Sequence, residues 1–174
     1  MNATEWLKRD HELILEGLVA LYAVADCVQA GRAVPVDDTR QLLMFFREFA
    51  DEYHHHKEEN ALFPALEAAG MPSQGPIGVM LHEHEKGRKL LQRMIDGLPE
   101  LPAGDAFDYI DLLRLHIEKE NEVLFYIADR MLSASTDRSI SAMFSQAEDT
   151  MPHVLDHEGY RKLFARLRMR AEEE

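Results

Sequence analysis

The stretch YHHHKEENALFPALE, residues 53–67, decides the fold and carries half of a candidate site. His54 and Glu58 stand four residues apart, and on a helix this spacing places both side chains on one face. Apolar residues continue that face one turn before and one turn after the pair. An imidazole and a carboxylate therefore lie in a stripe that should face the core. A buried carboxylate is costly unless it is paired or bound to a metal.

A second stretch, HIEKENEVLFYIAD at residues 116–129, repeats the first one. When the two are aligned on their leading histidines, they match at His, Lys, Glu, Leu and Phe. His116 and Glu120 form the second HxxxE pair, and they too lie within an apolar stripe. Two HxxxE pairs that are both expected to be buried suggest a common cause, and a metal site between helices supplies one.

The pattern of the whole chain is helical. No segment alternates with period two over the length of a strand, and long amphipathic segments are separated by short loops rich in Gly and Pro. We expect an all-α protein, an antiparallel up-and-down four-helix bundle over about residues 4–132 with additional C-terminal helices over about 138–171. Residues 1–174 would form a single domain. Pro64 should kink or end the second helix just after the first HxxxE turn.

Composition limits the partners and the compartment. The net charge of -13 argues against non-specific binding to nucleic acid and against docking on anionic lipid. The longest apolar runs are too short to cross a membrane, and charges interrupt what would be the apolar part of a secretory signal. Cys27 is the only cysteine, so no intramolecular disulfide can form. We expect a cytoplasmic protein with no nucleic-acid or membrane partner, and the oligomeric state stays open.

Four of the nine histidines lie on the apolar faces of four different predicted helices: His11, His54, His84 and His116. A single histidine on such a face is most often a core residue. Four of them on four helices, two with a carboxylate four residues later, favour a metal site instead. Imidazole and carboxylate without thiolate suit Fe, Mn or Zn. Two carboxylates can bridge a pair of ions, which favours a dinuclear centre.

These motifs resemble those of a known family. DHELIL (residues 10–15), GPIGVMLHEHEKGR (75–88) and the two HxxxE stretches, in this order, resemble the hemerythrin-like, HHE cation-binding domain proteins. The resemblance implies a four-helix bundle with a non-haem di-iron centre, two Fe ions joined by an oxo or hydroxo bridge, for which Zn or Mn are possible substitutes. The ligands that it implies are His11, His54, Glu58, His84, His116 and Glu120, with Glu58 and Glu120 as the bridging carboxylates.

One departure from the family concerns the third helix. Oxygen-carrying hemerythrins have an HxxxH pair there, but the residue four before His84 is Met80, and a thioether is a poor ligand for hard iron. One imidazole is therefore missing. Some members of the family use the residue directly after the histidine of the second helix. Here that residue is His55, which we include as a candidate seventh ligand.

Two registers compete on the second helix. His55 with Glu59 has the same spacing as His54 with Glu58. The internal repeat favours His54 with Glu58, because Glu58 and Glu120 each stand four residues before a Leu-Phe pair.

Four further residues have more than one interpretation from the sequence. Asp51 and Glu85 could orient ligand imidazoles from outside the site. His153 and His157 form another pair four residues apart, for which surface polarity or helix capping is favoured over a second metal site.

A di-iron centre with fewer protein ligands than iron needs has an open position for O2, NO or peroxide. The first hypothesis is a protein that binds or senses O2, NO, iron or redox state. The alternatives are a di-iron enzyme acting on peroxide or other reactive oxygen species, and an iron storage or buffering protein. Binding comes first because no general acid or base and no substrate pocket can be identified from the sequence.

Overall fold

The computed structural model describes residues 1–173, and within that range it contains helices and no strand. This confirms the predicted all-α class. The α-helices are α1 (Ala3–Gln29), α2 (Val36–Phe45), α3 (Phe63–Ala68), α4 (Pro76–Gly97), α5 (Ala103–Lys119), α6 (Phe125–Met131), α7 (Ala134–Thr150) and α8 (His157–Glu172). A short 3-10 helix, Pro152–Leu155, precedes α8.

Segments of π-helix join several of these elements into longer helices. Phe46–His55 and Glu58–Leu62 connect α2 to α3, and Glu120–Leu124 connects α5 to α6. The π-helical hydrogen bond spans five residues rather than four, and such turns recur at functional sites. Here the second and third of these segments both begin at the glutamate of an HxxxE pair, so the two repeats share a local distortion as well as a sequence.

The second long helix does not end at Pro64. The N–H of Phe63 donates to the carbonyl of Glu58, five residues back, so the hydrogen-bond register shifts just before the proline. Pro64 then lies in the first turn of α3, the part of a helix that tolerates proline best. The helix continues to Ala68, and Gly70, with φ of 105°, turns the chain away.

Four long helices form the bundle: α1, the α2–α3 helix, α4 and the α5–α6 helix. α1 contacts the α2–α3 helix and the α5–α6 helix, and α4 contacts the same two helices, as expected for an antiparallel up-and-down arrangement. The apolar core is divided into two clusters. One contains Phe46 and Tyr109, and the other contains Leu62 and Phe125. On α1, the second long helix and α4, the predicted site residues lie between the positions that enter these two clusters, and on the fourth helix Glu120 does so.

The C-terminal helices cover one side of the bundle. α8 lies along α1 and α2, and α7 packs against α1 and the second π-helical segment. Gly17 of α1 makes part of this packing feasible, because a Cβ there would lie 2.6 Å from the Phe45 ring and 3.2 Å from that of Phe164. Within residues 1–173, no helix has the length and apolar character needed to span a bilayer.

Candidate metal centre

The structure brings all seven sequence-predicted metal residues together in the middle of the bundle. They form two groups, and within each group one donor atom per residue lies within 4.8 Å of all the others. The two-histidine group is His11, His54, Glu58 and Glu120, and the three-histidine group is His55, Glu58, His84 and His116. Glu58 belongs to both groups. All seven residues are buried, with His55 the most exposed at 5%.

Both carboxylates reach imidazoles on the two sides of the centre. Glu58 places Oε1 3.3 Å from His54 Nε2 and Oε2 3.3 Å from His84 Nε2. Glu120 Oε2 lies 3.2 Å from His11 Nε2 and 3.4 Å from His116 Nε2. Each glutamate therefore contacts one histidine of each group, which is the placement that a bridging carboxylate needs.

The spacing of the donors fits metal ions. His84 Nε2 and His116 Nε2 lie 3.1 Å apart. Two nitrogens bound at right angles to one ion, each at about 2.1 Å, would be about 3.0 Å apart.

The lack of hydrogen-bond partners for several buried donor atoms also supports metal binding. Among the described residues, Nε2 of His11 and His54 and all four oxygens of Glu58 and Glu120 have no hydrogen-bond partner. Buried polar atoms nearly always have one, and cations bound at the two groups would supply partners for these atoms.

Each of the five imidazoles directs its other ring nitrogen, Nδ1, at an oxygen atom of a residue further from the centre, which we call an outer residue. The Nδ1 contacts are His11 with Asn121 at 2.8 Å, His54 with Asp10 at 3.0 Å, His55 with Asp51 at 3.1 Å, His84 with Glu59 at 2.7 Å and His116 with Glu83 at 2.8 Å. A carboxylate oxygen only accepts, so Nδ1 must carry a proton, and Nε2 is then the nitrogen that can bind a metal once any proton on it is displaced. The outer residues thus set the tautomer that metal binding requires.

Each outer carboxylate is in turn paired with a cation. The pairs are Lys57 with Asp10, Arg88 with Asp51 and Glu59, and Lys119 with Glu83. Lys57 is only 2% exposed, and its Nζ lies 2.5 Å from Asp10. Burial raises the pKa of Asp51, but the hydrogen bonds from His55 and Arg88 outweigh it and lower that pKa to about 2. These carboxylates are therefore ionised acceptors at neutral pH.

The inner groups have strongly shifted pKa values because they share one buried space. Burial, assisted by the nearby positive charge of His54, lowers the pKa of His11 to about 4. Burial and the charge of Glu58 raise the pKa of Glu120 to about 7. Burial would also raise the pKa of Glu58, but His54 and His84 outweigh it and hold that pKa well below its ordinary value. A metal cation that binds here must replace protons, which couples its affinity to pH.

Sequence reasoning missed most of the outer residues. It proposed Asp51, which does contact His55, and Glu85, which is exposed and lies 3.7 Å from Lys89 instead. The missed residues are Asp10, Glu59, Glu83 and Asn121. Each adjoins a predicted ligand in sequence, and that adjacency was the signal that could have identified them. Glu59, the carboxylate of the competing register, contacts the outer nitrogen of His84.

The other residues singled out in the sequence lie away from the two groups. Met80 is 3% exposed and packs in the same apolar cluster as Ile77. His153 is exposed, with Nε2 3.6 Å from Glu48, and the ring of His157 packs against that of Phe49. No metal group within the described residues includes His153 or His157.

Apolar rings border the centre. The ring of Phe125 stacks on His11 at 5.5 Å between centroids, and that of Phe63 lies 6.0 Å from His84. A surface cleft of about 380 Å³ opens nearby, between the second long helix and α7, and Lys57 is among its lining residues. None of the seven predicted metal residues lines that cleft. A molecule held in it would not touch the inward-facing donor atoms.

Comparison with known proteins agrees with this geometry. The family model described as Hemerythrin HHE cation binding domain matches residues 2–128. The uncharacterized protein Rv1995 of Mycobacterium tuberculosis is 27% identical over 161 residues, which cover 85% of this chain and 62% of that protein. The iron-sulfur cluster repair protein YtfE of Escherichia coli is 32% identical over 114 residues, which cover 53% of this chain and 47% of that protein.

The chain therefore spans about six-tenths of the length of the mycobacterial relative and about half of the length of the Escherichia coli one. No solved structure gives a significant match. The family match covers most of the chain, and the clustered histidines and glutamates agree with it. The chain belongs to the hemerythrin HHE cation-binding domain family and is a metal-binding, hemerythrin-like protein.

Proposed function

We propose that this protein holds a dinuclear iron centre of the hemerythrin type and uses it to bind or sense a small ligand, O2 or NO, or the redox state of its surroundings. The observation that carries the proposal is that Glu58 belongs to both donor groups. A carboxylate with one oxygen towards each group joins two ion sites rather than completing one.

The donor set favours iron over softer metals. The two groups contain imidazole nitrogens and carboxylate oxygens only, and the single cysteine, Cys27, lies instead at the end of α1 near Ala171. Such ligands suit Fe, with Mn and Zn as chemically feasible substitutes. When bound, a pair of irons would supply electrons and an exchangeable coordination position for a diatomic ligand.

The two ions would not be equivalent. One group offers three imidazoles, and the other offers two, His11 and His54. If Glu58 and Glu120 are both shared, an ion at the two-histidine group would have one protein ligand fewer. We assign the exchangeable position to that side. The ring of Phe125, stacked on His11, makes the surroundings apolar, which favours a small uncharged ligand over a charged or bulky one.

The test is metal analysis followed by spectroscopy. Protein produced with iron should contain close to two Fe per chain and should absorb in the near ultraviolet and visible range. Anaerobic reduction should bleach this absorption, and addition of O2 or NO should give new bands. One iron or fewer per fully loaded chain would refute the dinuclear centre. Two irons with no spectral response to either gas would refute ligand binding.

A second candidate is iron handling, which is supported by the similarity to a protein named for iron-sulfur cluster repair. In that case, iron should leave the reduced protein readily when an apo iron-sulfur protein is present. Retention of both irons would exclude this role. Catalytic turnover of peroxide, measured on the same samples, would instead favour the di-iron enzyme.

A further inference from the structure

The two halves of the centre repeat one another outside the ligands as well as within them. Asp10 and Glu83 each directly precede an inward histidine, and each accepts a hydrogen bond from the imidazole of the following long helix, His54 or His116. The residue three positions after that imidazole is a lysine in both halves and pairs with the same carboxylate. The centre therefore has an approximate internal two-fold repeat.

The repeat is broken at four positions. With His11 aligned on His84 and His54 aligned on His116, four polar residues between the second long helix and α4 correspond to apolar or neutral residues between the α5–α6 helix and α1. The pairs are His55 with Ile117, Asp51 with Leu113, Arg88 with Leu15, and Glu59 with Asn121. All four polar residues are on the side of the three-histidine group.

These four residues form one connected network. Arg88 Nε lies 2.9 and 3.0 Å from the two oxygens of Asp51, and a terminal nitrogen lies 2.7 Å from Glu59 Oε1. Asp51 accepts from the Nδ1–H of His55, and Glu59 accepts from that of His84. The two rings stack with centroids 3.8 Å apart and planes 16° from parallel. A single guanidinium thus fixes the outer partners of two stacked ligand imidazoles.

The charges explain why this arrangement depends on the arginine. Asp51 and Glu59 are two carboxylates on one side of a helix, and their side chains are 21% and 24% exposed. Without the cation they would repel each other and could turn towards solvent, which would free the Nδ1–H groups that they hold. The planar fork of arginine donates to both at once, whereas the single ammonium of lysine is a point charge without that geometry.

We propose that Arg88 is a positioning residue that makes the three-histidine group the tighter of the two metal sites, because it holds Asp51 and Glu59 against His55 and His84. This inference rests on the dinuclear function proposed above. The matching interface, between the α5–α6 helix and α1, has Leu15 at the position of the arginine and lacks the network, so the two-histidine group binds its ion more weakly. The order in which the two ions bind is thus set by residues that do not contact them.

The experiment uses Co²⁺ as the probe, titrated without oxygen into metal-free protein against a competing chelator. The variants are Arg88→Leu, which copies the other half of the repeat, and Arg88→Lys. The control is Arg93→Leu, on the same helix, where the exposed arginine pairs with Asp105 only. Loss of an outer partner typically weakens metal binding by about 10- to 100-fold. We expect a loss of this size for the tighter ion in Arg88→Leu, a smaller loss in Arg88→Lys and no change in the control.

Proton NMR of the Co²⁺ protein gives a second readout, because the metal shifts the exchangeable Nδ1–H signals of its histidine ligands away from the rest. In Arg88→Leu, the two signals of His55 and His84 should broaden by exchange with water, while the other three stay. Unchanged affinities and signals would overturn the role of Arg88, as would equal weakening of both ions. Wild-type protein that binds only one Co²⁺ would instead refute the dinuclear function itself.

Discussion

Replacement of Glu58 by glutamine tests the shared ligand directly. The change removes one charge and keeps the volume of the side chain, so it leaves no cavity. In the structure, one oxygen of Glu58 faces His54 and the other faces His84, so both ions of the proposed centre would lose an anionic ligand together. No substitution at a single outer residue should affect both ions.

The size of the effect can be bounded from the outer residues. Loss of a partner that only orients a ligand weakens binding by about 10- to 100-fold. An anionic ligand contributes more than its support does, so we expect at least about 100-fold for each ion. Since a tenfold change is about 1.4 kcal/mol, this amounts to about 3 kcal/mol per ion. Glu58→Gln protein purified with iron should therefore hold fewer than one Fe per chain.

Glu59→Gln is the matched comparison. Among the metal residues, Glu59 contacts only the outer nitrogen of His84, and a glutamine oxygen can still accept that hydrogen bond. We expect two ions per chain, with weaker binding at the three-histidine group alone. Glu85→Gln, at an exposed position, should behave as the wild type. Elemental analysis measures the number of ions per chain, and chelator competition measures their affinities. If Glu58→Gln kept two ions with affinities within tenfold of the wild type, the assignment of Glu58 as the bridging ligand would be wrong.

Two further predictions concern the stability of the metal-free protein. Lys57→Met should cost about 3 kcal/mol in urea denaturation, because it removes the ammonium partner of buried Asp10 and leaves only the imidazole of His54. Lys119→Met, where the lysine side chain is 45% exposed, should cost less than about 1 kcal/mol. Equal costs for the two variants would contradict this reasoning. Burial lowers the pKa values of His54 and His84, but Glu58 outweighs it and they rise to about 9. The folded state therefore binds more protons than the unfolded state between pH 6.5 and about 9, so stability should fall as pH rises through this window, by about 3 kcal/mol per group at most. Stability that is flat or rises over this window would count against these shifts.

Helical periodicity was enough to predict the all-α bundle, because each long helix carries a continuous apolar stripe. The positions of the inward residues also followed from sequence. His54 and His116 begin matching stretches, and a helix keeps residues four apart on one face. The structure places His55 inside the centre as well, although it follows His54 directly and would point about 100° away on a regular α-helix.

The π-helical segment explains why His54 and His55 both face the centre. Phe46–His55 is π-helical, and within it the rings of His54 and His55 lie 5.5 Å apart, both buried. Hydrogen bonds over five residues change which side chains share a face. Periodicity analysis assumes the regular helix, so it could not show that two consecutive histidines both turn inward. The outer carboxylates were missed for a different reason, because their partners lie on other helices and no spacing within one helix encodes them.

The internal repeat carries more information than its matches alone. The matching positions, such as Glu58 and Glu120, are the shared parts of the centre, whereas the mismatched positions collect on one side of it. Glu59 and Asn121 occupy equivalent places, yet the first gives its imidazole a charged partner and the second a neutral one. A charged acceptor raises the basicity of a ligand imidazole more than a neutral one does. In a two-fold centre, any difference between the two ions has to come from such mismatches, and the comparison of the two halves of one sequence is enough to find them.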